Sequence, residues 1–169
     1  WSILTHSDKV VIVGQDHIGS GAYRPPTIVA DALVTTCRGV HLVTKGADCA
    51  MLRMIDKVNG VVSVVHAGSA GLESGIVGKS ISAMIDSGAS LDEIEVFVGP
   101  FISTPNYGHE QYGDKVKFFY QNNAAYVRDG VYYCSLEAVF KRQHDTVTIL
   151  LENVNLEGRF TINDTTLYS

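Results

Sequence analysis

This 169-residue sequence has no basic stripe, no apolar run long enough to span a bilayer and no even set of cysteines. Each absence closes off a class of function. Lys and Arg number 13 against 18 Asp and Glu, giving a net charge of −5 and a pI near 5.6. A phosphate backbone would find no basic face here, so nucleic acid is not expected as a partner. The longest apolar stretches are broken by Gly, Asp or His well short of the roughly 20 residues a membrane helix needs, and no secretory leader is read. No membrane partner is therefore expected. Cys37, Cys49 and Cys134 are an odd number without paired spacing, a pattern that favours free thiols in a reducing compartment; the expected location is cytoplasmic. Charged residues are also scarce, at 18%, while apolar residues reach 46%. Such a chain is too apolar to stay disordered, and its length suits one well-buried core, so residues 1–169 are expected to form a single domain.

What the chain does contain is a series of short apolar runs. Residues 9–13, 30–36, 40–44, 49–55, 61–66 and 94–98 read as strands rich in Val, Leu and Ile. A Gly- and Pro-rich loop from Gly19 to Pro26 separates the first two, and Pro25-Pro26 keeps it irregular enough to serve as a lid. Leu72, Ile76, Val77, Ile81, Met84 and Ile85 recur at spacings of three and four, which predicts a helix with Gly88 as its stop. Ser90-Leu91-Asp92-Glu93 reads as a short capped turn. Farther on, Val116–Tyr120 is a strand candidate, Leu136–Arg142 a helix candidate and Val147–Leu151 a strand. The pattern is mixed α/β.

The most informative pair is Cys49, in Gly46-Ala47-Asp48-Cys49, and His66, in Val65-His66-Ala67-Gly68. The apolar runs Ala50–Ile55 and Val61–Val65 flank the turn-like Asp56-Lys57-Val58-Asn59-Gly60. A hairpin would start one strand at Cys49 and end its partner at His66, bringing both to the same sheet edge. A thiolate beside an imidazole suits either an activated nucleophile or a soft metal such as zinc.

Ala30-Asp31-Ala32-Leu33-Val34-Thr35-Thr36, the Gly46–Cys49 block, His66-Ala67-Gly68 and Gly99-Pro100 together resemble the multicopper polyphenol oxidoreductase, or laccase-domain, family, whose members are now understood as purine nucleoside phosphorylases. The resemblance spans roughly residues 5 to 105. It implies an α/β (α+β) fold, a layered sandwich of mixed sheets flanked by helices. It also implies a zinc held by His, Cys and His. His6, in Leu4-Thr5-His6-Ser7 ahead of Val10–Val13, takes the place of the family's first histidine, so His6, Cys49 and His66 are the expected metal and catalytic residues. Relative to family members the chain is expected to lack an N-terminal segment and the extreme C-terminus.

One departure from the family pattern bears on chemistry. Where the family commonly has Trp-Arg after His-Ala-Gly, this chain has Ser69-Ala70. Loss of a guanidinium weakens phosphate binding more than metal binding; Lys45 and Arg38 are candidate replacements, and the amides of Gly68–Gly71, which open a helix, are a second. The expected activity is zinc-dependent phosphorolysis or deamination of a purine nucleoside, with phosphate as the small co-substrate. Three alternatives stand beside it. One is a metal-free hydrolase or deamidase using Cys49 as nucleophile and His66 as base. Another is copper-dependent phenol oxidation, which needs more clustered imidazoles than six scattered histidines offer. The last is a decayed homologue acting as a binding protein. Cys37 and Cys134 read as structural thiols, and His17, His41, His109 and His144 have no partner that the sequence names, folding of His109 over the site being the lesser alternative.

Overall fold

The computed structural model describes residues 1–146 and 154–156. Among them the chain forms β1 (Val10–Ile12), β2 (Ala32–Thr35), β3 (Ala50–Asp56), β4 (Val61–Ala67), α1 (Ser69–Glu73), α2 (Ile76–Asp86), β5 (Ile94–Val98), β6 (Gly108–His109), α3 (Asp114–Gln121), β7 (Ala125–Arg128), β8 (Val131–Cys134), α4 (Leu136–Thr146) and β9 (Val154–Leu156). Six strands make one sheet in the order β1-β2-β4-β3-β5-β9, and three make a second in the order β6-β8-β7. The large sheet is mixed: β1 with β2 and β5 with β9 are parallel, while the central pairs are antiparallel. The expected α/β class with sheets and flanking helices is what forms.

The β3–β4 hairpin forms as expected, and its register sets Ala50 opposite Ala67 and Met51 opposite His66. Its turn is fixed by Asp56, whose carboxylate accepts the backbone N–H of Asn59 at 2.8 Å, its side-chain amide at 2.8 Å and the Ser90 N–H at 2.8 Å. Gly60 closes the turn at φ 72°, in the left-handed region open to glycine. Ser90 thus serves the β3–β4 turn and makes no side-chain cap on the Leu91–Glu93 turn.

Alternation along the strands splits burial between two faces. Ala32, Val34, Leu52, Met54, Val61 and Val65 join a large core with Leu72, Ile76, Val77, Ile81 and Met84 of the helices. Leu33 points to the other face, where it packs with Val13, Ala30, Val40 and Leu42. This second packing explains why 40–44, expected as a strand, is not one. β2 already has β1 and β4 as neighbours, so Val40 and Leu42 bury their side chains from an irregular segment without a ladder to join.

Two further expectations change, and one element is new. Val116–Tyr120 lies within the helix α3, because Val116 and Phe119, three apart, face the core together. The aromatic and β-branched composition that suggested a strand was overridden by packing. The helix expected from Leu72 to Ile85 is two, α1 and α2, divided at Gly75, whose φ of 79° leaves the helical region. The β7–β8 hairpin, turning at Asp129 and Gly130 with φ 52° and 78°, has the Asp-Gly signature and was not anticipated. Gly88 with φ 99° follows the end of α2, and Leu136, Val139 and Phe140 anchor α4, as expected. The strand expected at Val147–Leu151 lies outside the described residues. No helix among the described residues is long and apolar enough to cross a membrane.

Candidate metal centre

Cys49 lies at the mouth of β3 and His66 near the end of β4, on facing strands of one hairpin. The chain turns sharply before the cysteine: Asp48 sits at φ 67°, and the Cys49 N–H donates to the Ala47 carbonyl at 2.8 Å. The Asp48 carbonyl in turn accepts the Ile102 N–H at 2.9 Å, which ties this turn to the segment after Gly99-Pro100. His66 is buried, its backbone N–H donating to the Asp31 carbonyl at 2.7 Å. His6 arrives from outside the sheet, exposed and held at φ 56°. Its ring meets that of His66 edge-on, with centroids 4.8 Å apart.

The structure therefore brings together the three residues expected from sequence. One donor atom from each of His6, Cys49 and His66 lies within 4.8 Å of the others. Two glycines make this convergence possible. A Cβ on Gly68 would stand 2.9 Å from the Cys49 Sγ and 3.3 Å from the His6 Cδ2, and one on Gly46 would stand 3.3 Å from the His66 Cδ2. The donors border an open cleft of about 500 Å³ lined also by Leu4, Lys45, Gly46 and Ala47.

Two imidazoles and a thiolate match the donor chemistry of zinc. Metal–ligand bonds of about 2.0–2.3 Å require such donors to draw in by roughly 1 Å, a movement available to the exposed His6. The residues fit the ion. Burial, the Asp48 charge and the Asp31 charge all raise the Cys49 thiol above its ordinary range, against a smaller lowering by Lys115. A thiol so placed needs a cation beside it to ionise.

Asp31 belongs to this site although sequence reasoning assigned it no role beyond its motif. Burial would raise its carboxyl, but hydrogen bonds from His66, Ser7 and Thr5 outweigh this and hold it well below the usual carboxylate range. It accepts from the His66 Nδ1 at 2.9 Å and from the backbone N–H groups of Thr5, His6 and Ser7 at 3.2, 3.0 and 2.8 Å. The available signal was an acidic residue beside a buried apolar strand, a placement that demands partners.

Other candidates fall elsewhere. Arg38 is exposed and absent from the cleft lining, whereas Lys45 lines it. Gly68 and Ser69 open a helix of five residues, too short for a substantial dipole. His109 is in β6, stacked edge-on with Tyr107 at 4.8 Å and outside the donor cluster. Cys134 is buried and Cys37 half-buried, both as free thiols. The Gly19–Pro26 loop, expected as a lid, covers another cavity of about 360 Å³, lined by residues such as Val13, His17, Tyr23, Leu33 and His41. Trp1 lines that cavity too, with the Lys45 Nζ 5.3 Å from its ring.

The family model described as multi-copper polyphenol oxidoreductase laccase matches residues 1–169. The chain is 30% identical over 165 residues to a purine nucleoside phosphorylase from Corynebacterium glutamicum, covering 97% of this chain and 65% of that protein. Over 72 residues, 43% of this chain and 28% of the other, it is 36% identical to adenosine deaminase RL5 from an unknown prokaryotic organism. YlmD from Geobacillus stearothermophilus superposes with a TM-score of 0.87 at 21% identity, covering 99% of this chain and 66% of that one. The YfiH protein of Bacillus licheniformis gives 0.85 at 20% identity, with 99% and 66% covered. The chain thus spans about 65% of the length of the curated relatives it matches over nearly all of its own.

Proposed function

The chain belongs to the multi-copper polyphenol oxidoreductase laccase family, and from that premise we propose that it is a zinc-dependent enzyme of purine nucleosides in which His6, Cys49 and His66 hold the ion. The observation that carries this reading is the convergence of three donors within 4.8 Å at the edge of an open cleft. When bound with three protein ligands, zinc supplies a Lewis acid with a position left for an oxygen of water or substrate. The chain's own residues do the rest. Asp31 orients His66, Gly68 leaves room for Cys49 beside His6, and Lys45, which lines the cleft, is the cation assigned to phosphate.

Two reactions suit this cleft. In phosphorolysis a phosphate oxygen bonds to the sugar C1′ as the C1′–N9 bond breaks, and the departing purine takes up a proton. In deamination water adds at the purine C6 and ammonia leaves. Relatives named purine nucleoside phosphorylase and adenosine deaminase support these as the pair to test. Ala70, standing where the family has arginine, favours deamination; Lys45 restores part of the case for phosphate.

Metal-free Cys–His catalysis has less support, since burial and two carboxylates keep the Cys49 thiol protonated at neutral pH. Copper chemistry calls for a further soft donor. Met51, cross-strand from His66, directs its sulfur to the Thr44 hydroxyl at 3.8 Å. The test is metal content by elemental mass spectrometry on wild type and Cys49→Ala, followed by turnover of inosine and adenosine with and without phosphate. The expected result is about one zinc per chain, lost in Cys49→Ala. Absence of metal from both proteins, with turnover of either nucleoside, would overturn the reading.

A further inference from the structure

One carboxylate oxygen touches both histidines of the proposed centre. Asp31 Oδ1 accepts the backbone N–H of His6 at 3.0 Å and meets the ring Nδ1 of His66 at 2.9 Å. Its second oxygen takes the Thr5 and Ser7 N–H groups at 3.2 and 2.8 Å and their hydroxyls at 3.1 and 2.7 Å. Asp31 itself is 1% exposed. These donors lie 24 to 35 residues away in sequence, so their meeting at one side chain is a product of the fold.

We infer that Asp31 is a positioning residue that presets both histidine ligands before any metal binds, a role resting on the metal reading above. The chemistry has two parts. An ionised carboxylate only accepts hydrogen bonds, so a His66 ring with a single proton holds it on Nδ1 and presents the Nε2 lone pair to the cluster. Three consecutive amides wrapped around the same carboxylate also hold residues 5–7 in a concave turn. That turn keeps His6 at φ 56°, a conformation that costs a non-glycine residue strain and needs outside support. Removing the carboxylate would free the His66 tautomer and the His6 backbone together. Cys49 lies outside this network and reaches the site by its own strand.

An asparagine cannot substitute. With one acceptor oxygen and one donating nitrogen, it leaves the amides of 5–7 short of acceptors or turns an N–H toward His66, which moves the ring proton to Nε2 and blocks the ligand. The test measures zinc affinity by chelator competition, and the visible spectrum after cobalt substitution, for wild type, Asp31→Asn and Ser7→Ala. Asp31→Asn is expected to weaken zinc roughly 10- to 100-fold and alter the cobalt spectrum, while Ser7→Ala, which spares the His66 contact, shifts affinity by less than about threefold. Imidazole nitrogen NMR on the metal-free wild type gives a readout that does not depend on the variant folding, and is expected to show His66 protonated at Nδ1. Wild-type zinc affinity in Asp31→Asn, or a metal-free His66 protonated at Nε2, overturns the inference and leaves the metal reading standing. No zinc binding by wild type overturns both.

Discussion

Gly68→Ala isolates the geometry of the centre with one added methyl group. Gly68 has φ −80° and ψ 174°, so alanine enters without backbone strain and the effect is steric alone. The new Cβ would lie 2.9 Å from the Cys49 Sγ, whereas non-bonded heavy atoms settle at about 3.5–4.0 Å. The sulfur must therefore retreat by about 0.6–1 Å, and His6, with its Cδ2 at 3.3 Å from the same point, must move as well. Overpacking of this kind costs about 1–3 kcal/mol of stability. A displacement near 1 Å in a reacting constellation costs roughly a hundredfold in turnover. Zinc affinity by chelator competition and unfolding temperature would be read side by side on Gly68→Ala and on Gly113→Ala, a glycine whose Cβ would meet nothing within 4 Å. Gly68→Ala should lose zinc affinity by roughly 10- to 100-fold. Gly113→Ala should keep full affinity and lose no more than about 1 kcal/mol from its N-cap position. Full zinc affinity in Gly68→Ala would refute the placement of Cys49 beside Gly68.

Two other outcomes follow from named groups. Lys45→Met keeps the stem of the side chain and removes its charge from the cleft; the KM for phosphate should rise about tenfold while adenosine deamination in phosphate-free buffer stays within about twofold, and an unchanged phosphate KM would remove Lys45 from the anion site. Burial lifts the Cys134 thiol from its ordinary 9.0 to about 11. Because the folded value is the higher one, the stabilisation is complete below pH 9 and is lost as pH rises from about 9 to 11, by about 2–3 kcal/mol in all. Denaturant unfolding across that range should show this alkaline decline in wild type and a shallower one in Cys134→Ala; equal slopes would count against it.

Local sequence determined the half of the site built from one hairpin. Two apolar runs around Asp56–Gly60 fix a register that carries Cys49 and His66 to the same end, because side-chain alternation and turn chemistry are short-range properties. Gly88 and the periodicity of residues 76–84 likewise specified a helix and its stop. Tertiary structure decided the rest. Phe119 and Val116 could face a core from a strand or from a helix, and the available core chose the helix; Val40 and Leu42 found burial where no strand edge was open to them. Asp31 and His6 are the sharpest case. Nothing in the spacing of residues 5–7 and 31 shows that one carboxylate gathers three successive amides and an imidazole. Their encounter depends on β1 lying beside β2 and β2 beside β4. Burial of that carboxylate makes each of those hydrogen bonds obligatory, and through them an exposed histidine near the start of the chain is brought to the sheet edge where the hairpin had already placed its partners.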